Sequence, residues 1–422
     1  MKIFRYLVLI LINFFVITSF AQNNNNIHKV CGTMQYMQEQ FIEYPKFKDN
    51  INILEAETQE YIKKQSLNKA DEQVYIIPVV FHVIYNSASD NIPDSRIKKQ
   101  IEVLNEDFRL RSKDTAKIPD IFKQYAADTK IEFRLANQDP FGNYTTGIER
   151  VKSNAEKWYA PVNTVKFAYN GGADAWDSKY YLNVWVCSFE LGNTEDGFTL
   201  AYSQFPGGNP AYDGIVIQPF EVGVYGDAKG RTLTHEIGHW LNLYHIWGDD
   251  QDLGDKCARG DNVEDTPNQE TMNFGVPEFP HQSCDNVSDM FMNHMDYVDD
   301  EMKLMFTHGQ AARMRSAIKL RRNEIINSSG YILSVETQNQ LEDYVSIYPN
   351  PVSNGLLNIR LSTQIENLKI SLKNIMSNNI YSKELVADKN IKINTSKIPD
   401  GIYFIEISTK TNSITKKIII SN

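Results

Sequence analysis

His235 and His239 stand four residues apart in Thr234–Trp247, THEIGHWLNLYHIW, with Glu236 directly after the first. On a helix, residues at that spacing share a face, so the two imidazoles project side by side, one turn apart. Zinc takes such neutral nitrogen donors in a tetrahedral site that keeps one position open for water. Glu236 points off the ligand axis toward that water, where a carboxylate can take its proton. His245 follows six residues after His239, and it reaches the same metal only if the helix stops between them. Asn242 is the expected stop, because after glycine it best tolerates the left-handed backbone a sharp reversal needs.

HEIGHWLNLYH resembles the extended zinc motif HExxHxxGxxH of the metzincin peptidases, and the wider RTLTHEIGHWLNLYHIW resembles the pappalysin family in particular. Asn242 departs from that pattern, which usually has glycine there. Asn293–Tyr297, NHMDY, resembles the family's Met-turn. The resemblance implies that Met295 forms an apolar floor under the zinc and that Tyr297 binds the metal or steadies the oxyanion. Taken alone, both residues would read as core packing. Met305–Met314, MFTHGQAARM, resembles the family's closing helix with Thr307 as its cap.

Cys257 and Cys284 flank an acid-rich loop that resembles the pappalysin calcium segment. The resemblance implies a disulfide between them and calcium ligands at Asp261, Thr266 and Glu270, with Asp265 and the Val263 carbonyl as further candidates. Calcium's preference for six to eight hard oxygens suits such a loop; a solvated acidic loop is the ordinary alternative. Cys31, in HKVCGT, resembles the cysteine switch of family propeptides. A thiolate is a good fourth zinc ligand and would displace the catalytic water; an idle free thiol is the alternative. Just past the Met-turn stand Asp299, Asp300 and Glu301. In metzincins this segment shapes the pocket for the residue after the cut bond, and pappalysin-like bacterial enzymes often prefer Arg or Lys there. An acid at the pocket floor would pair with such a side chain, Glu301 and Asp300 being the leading candidates. Equally, these acids could face solvent or bind calcium.

These residues need a frame. Val74–Tyr85, VYIIPVVFHVIY, is dense in β-branched and aromatic residues and reads as a strand. Pro78 within it predicts an edge position or a bulge. Ile97, Ile101, Leu104 and Phe108 recur at helical spacing after the cap candidates Asp94 and Ser95. Ile131–Leu135, Tyr181–Cys187 and Gly214–Ile217 read as further strands, and Cys187 as an inert buried thiol. Gly197–Gly208 resembles the strand and loop above the family's cleft, whose edge could hold an extended peptide. Strands mixed with long helices predict an α/β catalytic domain, of metzincin type by the resemblance, with a twisted sheet over 74–326. A linker, 327–343, leads to a small all-β sandwich, 344–422. There YPNP, GIYFIEI and the terminal KKIII resemble a type IX secretion sorting domain.

At the other end, Lys2 and Arg5 precede an apolar run closing on Ser19 and Ala21, the pattern of a signal peptide over 1–21. The polar 22–73 that follows reads as an inhibitory propeptide. A chain of 422 residues with net charge −10 fits two to three domains. That charge gives no general attraction to nucleic acid. Four cysteines are too few for a disulfide scaffold. The expectation is a zinc endopeptidase made as a latent precursor. It should carry zinc and calcium, act on peptides as a monomer, and be secreted or displayed at the cell surface. A catalytically silent adhesin that keeps the fold is the alternative, and a zinc aminopeptidase lacks support because the third ligand reads as His245.

Overall fold

The computed structural model describes residues 29–66, 72–159, 163–190, 198–249, 254–258, 260–331, 345–361, 368–375, 378–385, 389–409 and 413–421. The expected signal peptide and most of the linker lie outside them. The chain divides into two compact units, Met1–Tyr331 and Ile332–Asn422.

The first unit begins with β1 (Lys29–Cys31), α1 (Thr33–Glu43) and α2 (Lys46–Ser66). The polar stretch 22–73, whose sequence holds helix-like stretches but no long core-forming pattern, thus carries two helices. Their buried residues are few, Tyr36, Met37, Phe47, Ile51 and Leu54 among them, which is why no core pattern stands out in the sequence. Next come β2 (Tyr75–Tyr85), α3 (Asp94–Phe108), α4 (Asp120–Lys123), β3 (Ile131–Leu135), β4 (Ile148–Lys152), β5 (Trp158–Tyr159) and β6 (Leu182–Val186). Then follow β7 (Phe189–Glu190), β8 (Phe198–Ser203), β9 (Ile215–Ile217), α5 (Arg231–Trp240) and α6 (His308–Arg321).

Seven of these strands form one sheet in the order β1-β8-β9-β6-β2-β3, with β4 also paired to β2. Most pairings are parallel; β8 against β9 is antiparallel. A parallel strand covered on both faces should be apolar nearly throughout, and β2 is buried along almost its whole length. It runs centrally rather than at an edge. Pro78 is tolerated because β6 joins only from Val79 onward, so the missing N–H falls outside that ladder. A second correction concerns α3, whose cap is Pro93 with no side-chain hydrogen bond; Asp94 is already the first helical residue. The core under α5 gathers Leu233, Ile237, Trp240, Phe306, Met314 and Ile318 against the sheet. Cys187 is fully buried as expected.

The second unit holds β10 (Val345–Tyr348), β11 (Leu356–Leu361), β12 (Leu368–Asn374), β13 (Asn379–Leu385), β14 (Asn390–Asn394), β15 (Gly401–Ser408) and β16 (Ser413–Ile420). They form sheets β10-β11-β14 and β13-β12-β15-β16. Alternate residues such as Leu357, Ile359, Ile370, Ile405 and Ile418 point into one shared core, the period-two signature of a sandwich.

Candidate active site

All ten residues of α5 are buried. Its N-terminus has no side-chain cap of its own. Instead Asp300 Oδ2 accepts the backbone N–H of Lys229 at 2.8 Å and of Arg231 at 3.0 Å. An anion at that end also opposes the helix dipole. Asp107 of α3 takes Thr234 Oγ1 at 2.8 Å and Arg231 Nε at 3.3 Å, clamping the two helices together. At the other end Asn242 adopts φ 74°. Its N–H bonds the His239 carbonyl at 2.9 Å, and Leu243 N–H bonds the Gly238 carbonyl at 2.9 Å. This is a Schellman closure, and it turns the chain so that His245 faces back.

The three rings converge. His235 Nδ1 donates to the His294 carbonyl at 2.8 Å, His239 Nδ1 to the Leu243 carbonyl at 2.7 Å, and His245 Nδ1 to Asp249 at 2.6 Å. With each Nδ1 carrying the proton, every Nε2 offers a lone pair. Yet the Nε2 atom of His239 lies 3.1 Å from those of both His235 and His245. Three lone pairs so close repel unless a cation sits among them, so the donor set fits zinc. Burial pushes the His235 and His239 pKa values well below the usual imidazole range, which keeps them neutral donors.

Beneath them lies Met295, fully buried. A Cβ on Gly238 would stand 2.4 Å from its Sδ, so only glycine lets α5 settle onto this floor. Asn293 holds the turn by accepting Met295 N–H at 2.9 Å and exchanging two amide bonds with Gln310 of α6. Thr307 caps α6 in a full capping box, as the sequence predicts. Trp247 stacks on His245 at 4.3 Å and meets Tyr297 at 4.8 Å between centroids. Burial pushes the Tyr297 phenol well up.

A thiol of the same chain stands beside the three rings. β1 pairs with β8 in parallel, and the Cys31 thiol falls into the histidine cluster, all four ligand atoms lying within 4.8 Å of one another. The Tyr297 hydroxyl donates to the Cys31 carbonyl at 3.3 Å. Two residues on, Thr33 Oγ1 donates to Glu236 Oε2 at 2.7 Å while accepting Ser203 N–H at 2.8 Å. Burial raises both the Glu236 and the Cys31 pKa, and for Cys31 the Glu236 charge adds to the rise.

Beside Cys31, His235, Glu236 and Tyr297 opens a cavity of about 390 Å³. Asp299, Asp300 and Glu301 all line it, as do Glu221 and Asp227. Asp299 and Glu301 are exposed. Asp300 is committed to the start of α5, with Lys303 3.4 Å away. Cys257 and Cys284 are bonded, their Cα atoms 5.7 Å apart. In the loop they close, Thr266 Oγ1 meets Asp261 Oδ1 at 2.7 Å and the Val263 carbonyl at 2.9 Å. Asp261 Oδ2 is buried without a hydrogen-bond partner, and burial lifts its pKa to about 7. Glu270 does not join them; it is exposed and pairs with Lys256 at 3.6 Å, the loop having turned it to solvent. Asp265 instead accepts from Thr307 Oγ1 and Gly309 N–H at the start of α6.

Two participants escaped the sequence reading. Asp249 lies four residues after His245, a spacing that could have marked it. Thr33 carried no signal, because its partner Glu236 is 203 residues away.

Residues 170–319 match the family described as pregnancy-associated plasma protein-A, and 346–421 match a secretion system C-terminal sorting domain. An extracellular metalloprotease 1 of Coccidioides posadasii is 30% identical over 264 residues, covering 58% of this chain and 78% of that protein. Mature mirolysin of Tannerella forsythia in complex with a cleaved peptide is 43% identical, with TM-score 0.55, over 60% of this chain and 96% of that one. A promirolysin mutant from the same organism is 39% identical, with TM-score 0.59, over 71% and 97%.

Proposed function

The chain belongs to the pappalysin family of zinc metalloproteases, and on that premise we propose that it is made as a latent precursor, closed by its own Cys31. It is a secreted or cell-surface metalloprotease that hydrolyses peptide bonds, with a type IX sorting domain at its C-terminal end. Zinc, held by His235, His239 and His245, would supply Lewis acidity to the scissile carbonyl and the attacking water. Glu236 takes the proton of that water and delivers it to the leaving amine. Tyr297 steadies the developing oxyanion through its phenol, and Met295 supports the ligands from below.

The observation that carries the latency reading is the thiol of Cys31 among the three imidazoles. It occupies the position that water needs, while Thr33 holds the carboxylate that would activate it. Residues 22–73 then act as the inhibitory segment and 74–326 as the protease. The activating cut should fall between Gln59 and Gln73, before β2. Purified Cys31→Ala precursor should process itself and cleave peptides, and Cys31→Ala combined with Glu236→Ala should do neither. A Cys31→Ala precursor that stays intact and inactive would remove the latency proposal.

The cavity beside Glu236 supports a basic side chain after the cut bond. Besides Glu236, five acids line it against two lysines, Lys229 and Lys303. With Asp300 held at α5, the exposed Asp299 and Glu301 are the groups best able to meet a guanidinium. Arg should exceed Lys if the contact is bidentate. Matched peptides with Arg, Lys, Leu or Glu after the scissile bond test this; equal or faster cleavage before Leu would sink it. Asp261, Thr266 and the Val263 carbonyl are the oxygens we assign to a calcium ion, a buried and otherwise unpartnered Asp261 Oδ2 being what favours one.

A further inference from the structure

Tyr36 stands one helical turn past Thr33 and is only 1% exposed. It does not merely cover the cleft. Its ring enters a socket whose walls belong to the protease: Tyr202 of β8 lies 4.9 Å away between centroids, and Trp185 of β6 and Phe189 of β7 share the same apolar cluster. Its hydroxyl donates to Asn163 Oδ1 and accepts from Lys166 Nζ at 3.0 Å. Lys166 is itself fully buried, pinned by the Tyr212 carbonyl at 2.6 Å and lying over the Trp185 ring at 5.2 Å.

We propose that this socket is a substrate subsite, selective for a tyrosine side chain on the N-terminal side of the cut bond. The inference rests on the reading of 22–73 as a removable segment. When that segment leaves, Tyr36 leaves with it, but the walls stay. Trp185, Phe189 and Tyr202 are held by strand pairing within the protease, and Lys166 keeps its carbonyl anchor. The vacated socket offers flat apolar walls and, at its end, an ammonium donor and an amide oxygen. Loss of Tyr36 takes one hydrogen-bond partner from the buried Lys166 Nζ and one from Asn163, which a phenol restores and a plain phenyl does not.

Position follows from the chain's own path. Val30, just before Cys31, lines the acid-rich cavity; Tyr36, after Cys31, fills the socket. Along the chain the two stand on either side of Cys31, the residue that meets the histidine cluster. If the acidic cavity takes the residue after the cut bond, the socket takes one before it. The socket also lies beside the strand a substrate would use. β1 pairs with β8 as far as Ala201, and Tyr202 is the next residue. An extended peptide replacing β1 on that edge runs past the socket mouth.

The test uses prosegment-free enzyme obtained from the full chain, with its N-terminus read by mass spectrometry. Peptides with Arg after the cut bond carry Tyr, Phe, Leu or Ala scanned over the positions before it. One position should favour Tyr over Phe by about three- to tenfold in kcat/KM, the worth of one hydrogen bond. Lys166→Met should erase the Tyr-over-Phe difference, read as the ratio of the two rates within each enzyme. No position preferring Tyr, or a preference that survives Lys166→Met, overturns the subsite and leaves the latency reading intact. An active enzyme that still retains Tyr36 overturns both.

Discussion

His245 depends on a carboxylate more than the other two histidines do. Their Nδ1 atoms donate to backbone carbonyls, but His245 donates to Asp249, which also accepts the His245 backbone N–H at 2.9 Å. One side chain therefore sets both the ring's tautomer and the path of the loop that presents it. Such outer partners typically affect metal affinity by about 10- to 100-fold. Asp249→Asn should weaken zinc by roughly that factor in chelator competition while leaving the fold's circular dichroism unchanged. Unaltered zinc affinity would mean that loop geometry alone orients the ring. The residue scale was also the most readable in the sequence. His235, Glu236, His239 and His245 declare themselves by spacing, and Asn242 by the one conformation it shares with glycine, which the observed φ of 74° matches.

Helix α2 makes a contact no local pattern could reveal. Its Glu55 pairs with Arg313 of α6 at 2.5 and 3.0 Å, and Arg313, fully buried, donates through Nε to the Asn242 carbonyl at 2.5 Å. Helix α2 is thus tied through one guanidinium to the turn that presents His245. These partners are 258 residues apart, so only the fold joins them. Pro78 is the converse case: a correct local rule gave the wrong strand position, because the neighbouring strand begins one residue later. Removing one member of a buried pair leaves an uncompensated charge. Glu55 is 27% exposed, so the loss should be about 1–3 kcal/mol of docking, below that of a fully buried pair. Glu55→Gln should therefore speed precursor activation with no change in the rate of the processed enzyme. Unchanged activation would show that the other contacts of α2, among them its apolar residues and the Glu57–Arg321 pair, hold it in place without Glu55.

At the scale of the molecule, the chain is two units with separate cores, one that cuts and one that resembles an export signal. The apolar residues of β11, β12 and β14–β16 made the second unit legible, whereas the short β10 and the polar-rich β13 were not foreseen. In the first unit the Cys257–Cys284 bond should contribute about 3–4 kcal/mol in the chain-entropy model, and the calcium ion proposed for this loop would stabilise it by mass action. Calcium-stripped enzyme should regain melting temperature when millimolar calcium returns, and lose that response in Asp261→Asn; no response in wild type would remove the assignment.

The account turns on Cys31 meeting the metal in the intact precursor. Cobalt in place of zinc reports its ligands directly, since a thiolate bound to cobalt(II) gives an intense near-ultraviolet charge-transfer band that imidazoles and water do not. Cobalt-loaded precursor should show this band, and Cys31→Ser precursor, loaded identically, should lack it. A precursor without the band, or a band that persists in Cys31→Ser, would contradict a site closed by its own cysteine.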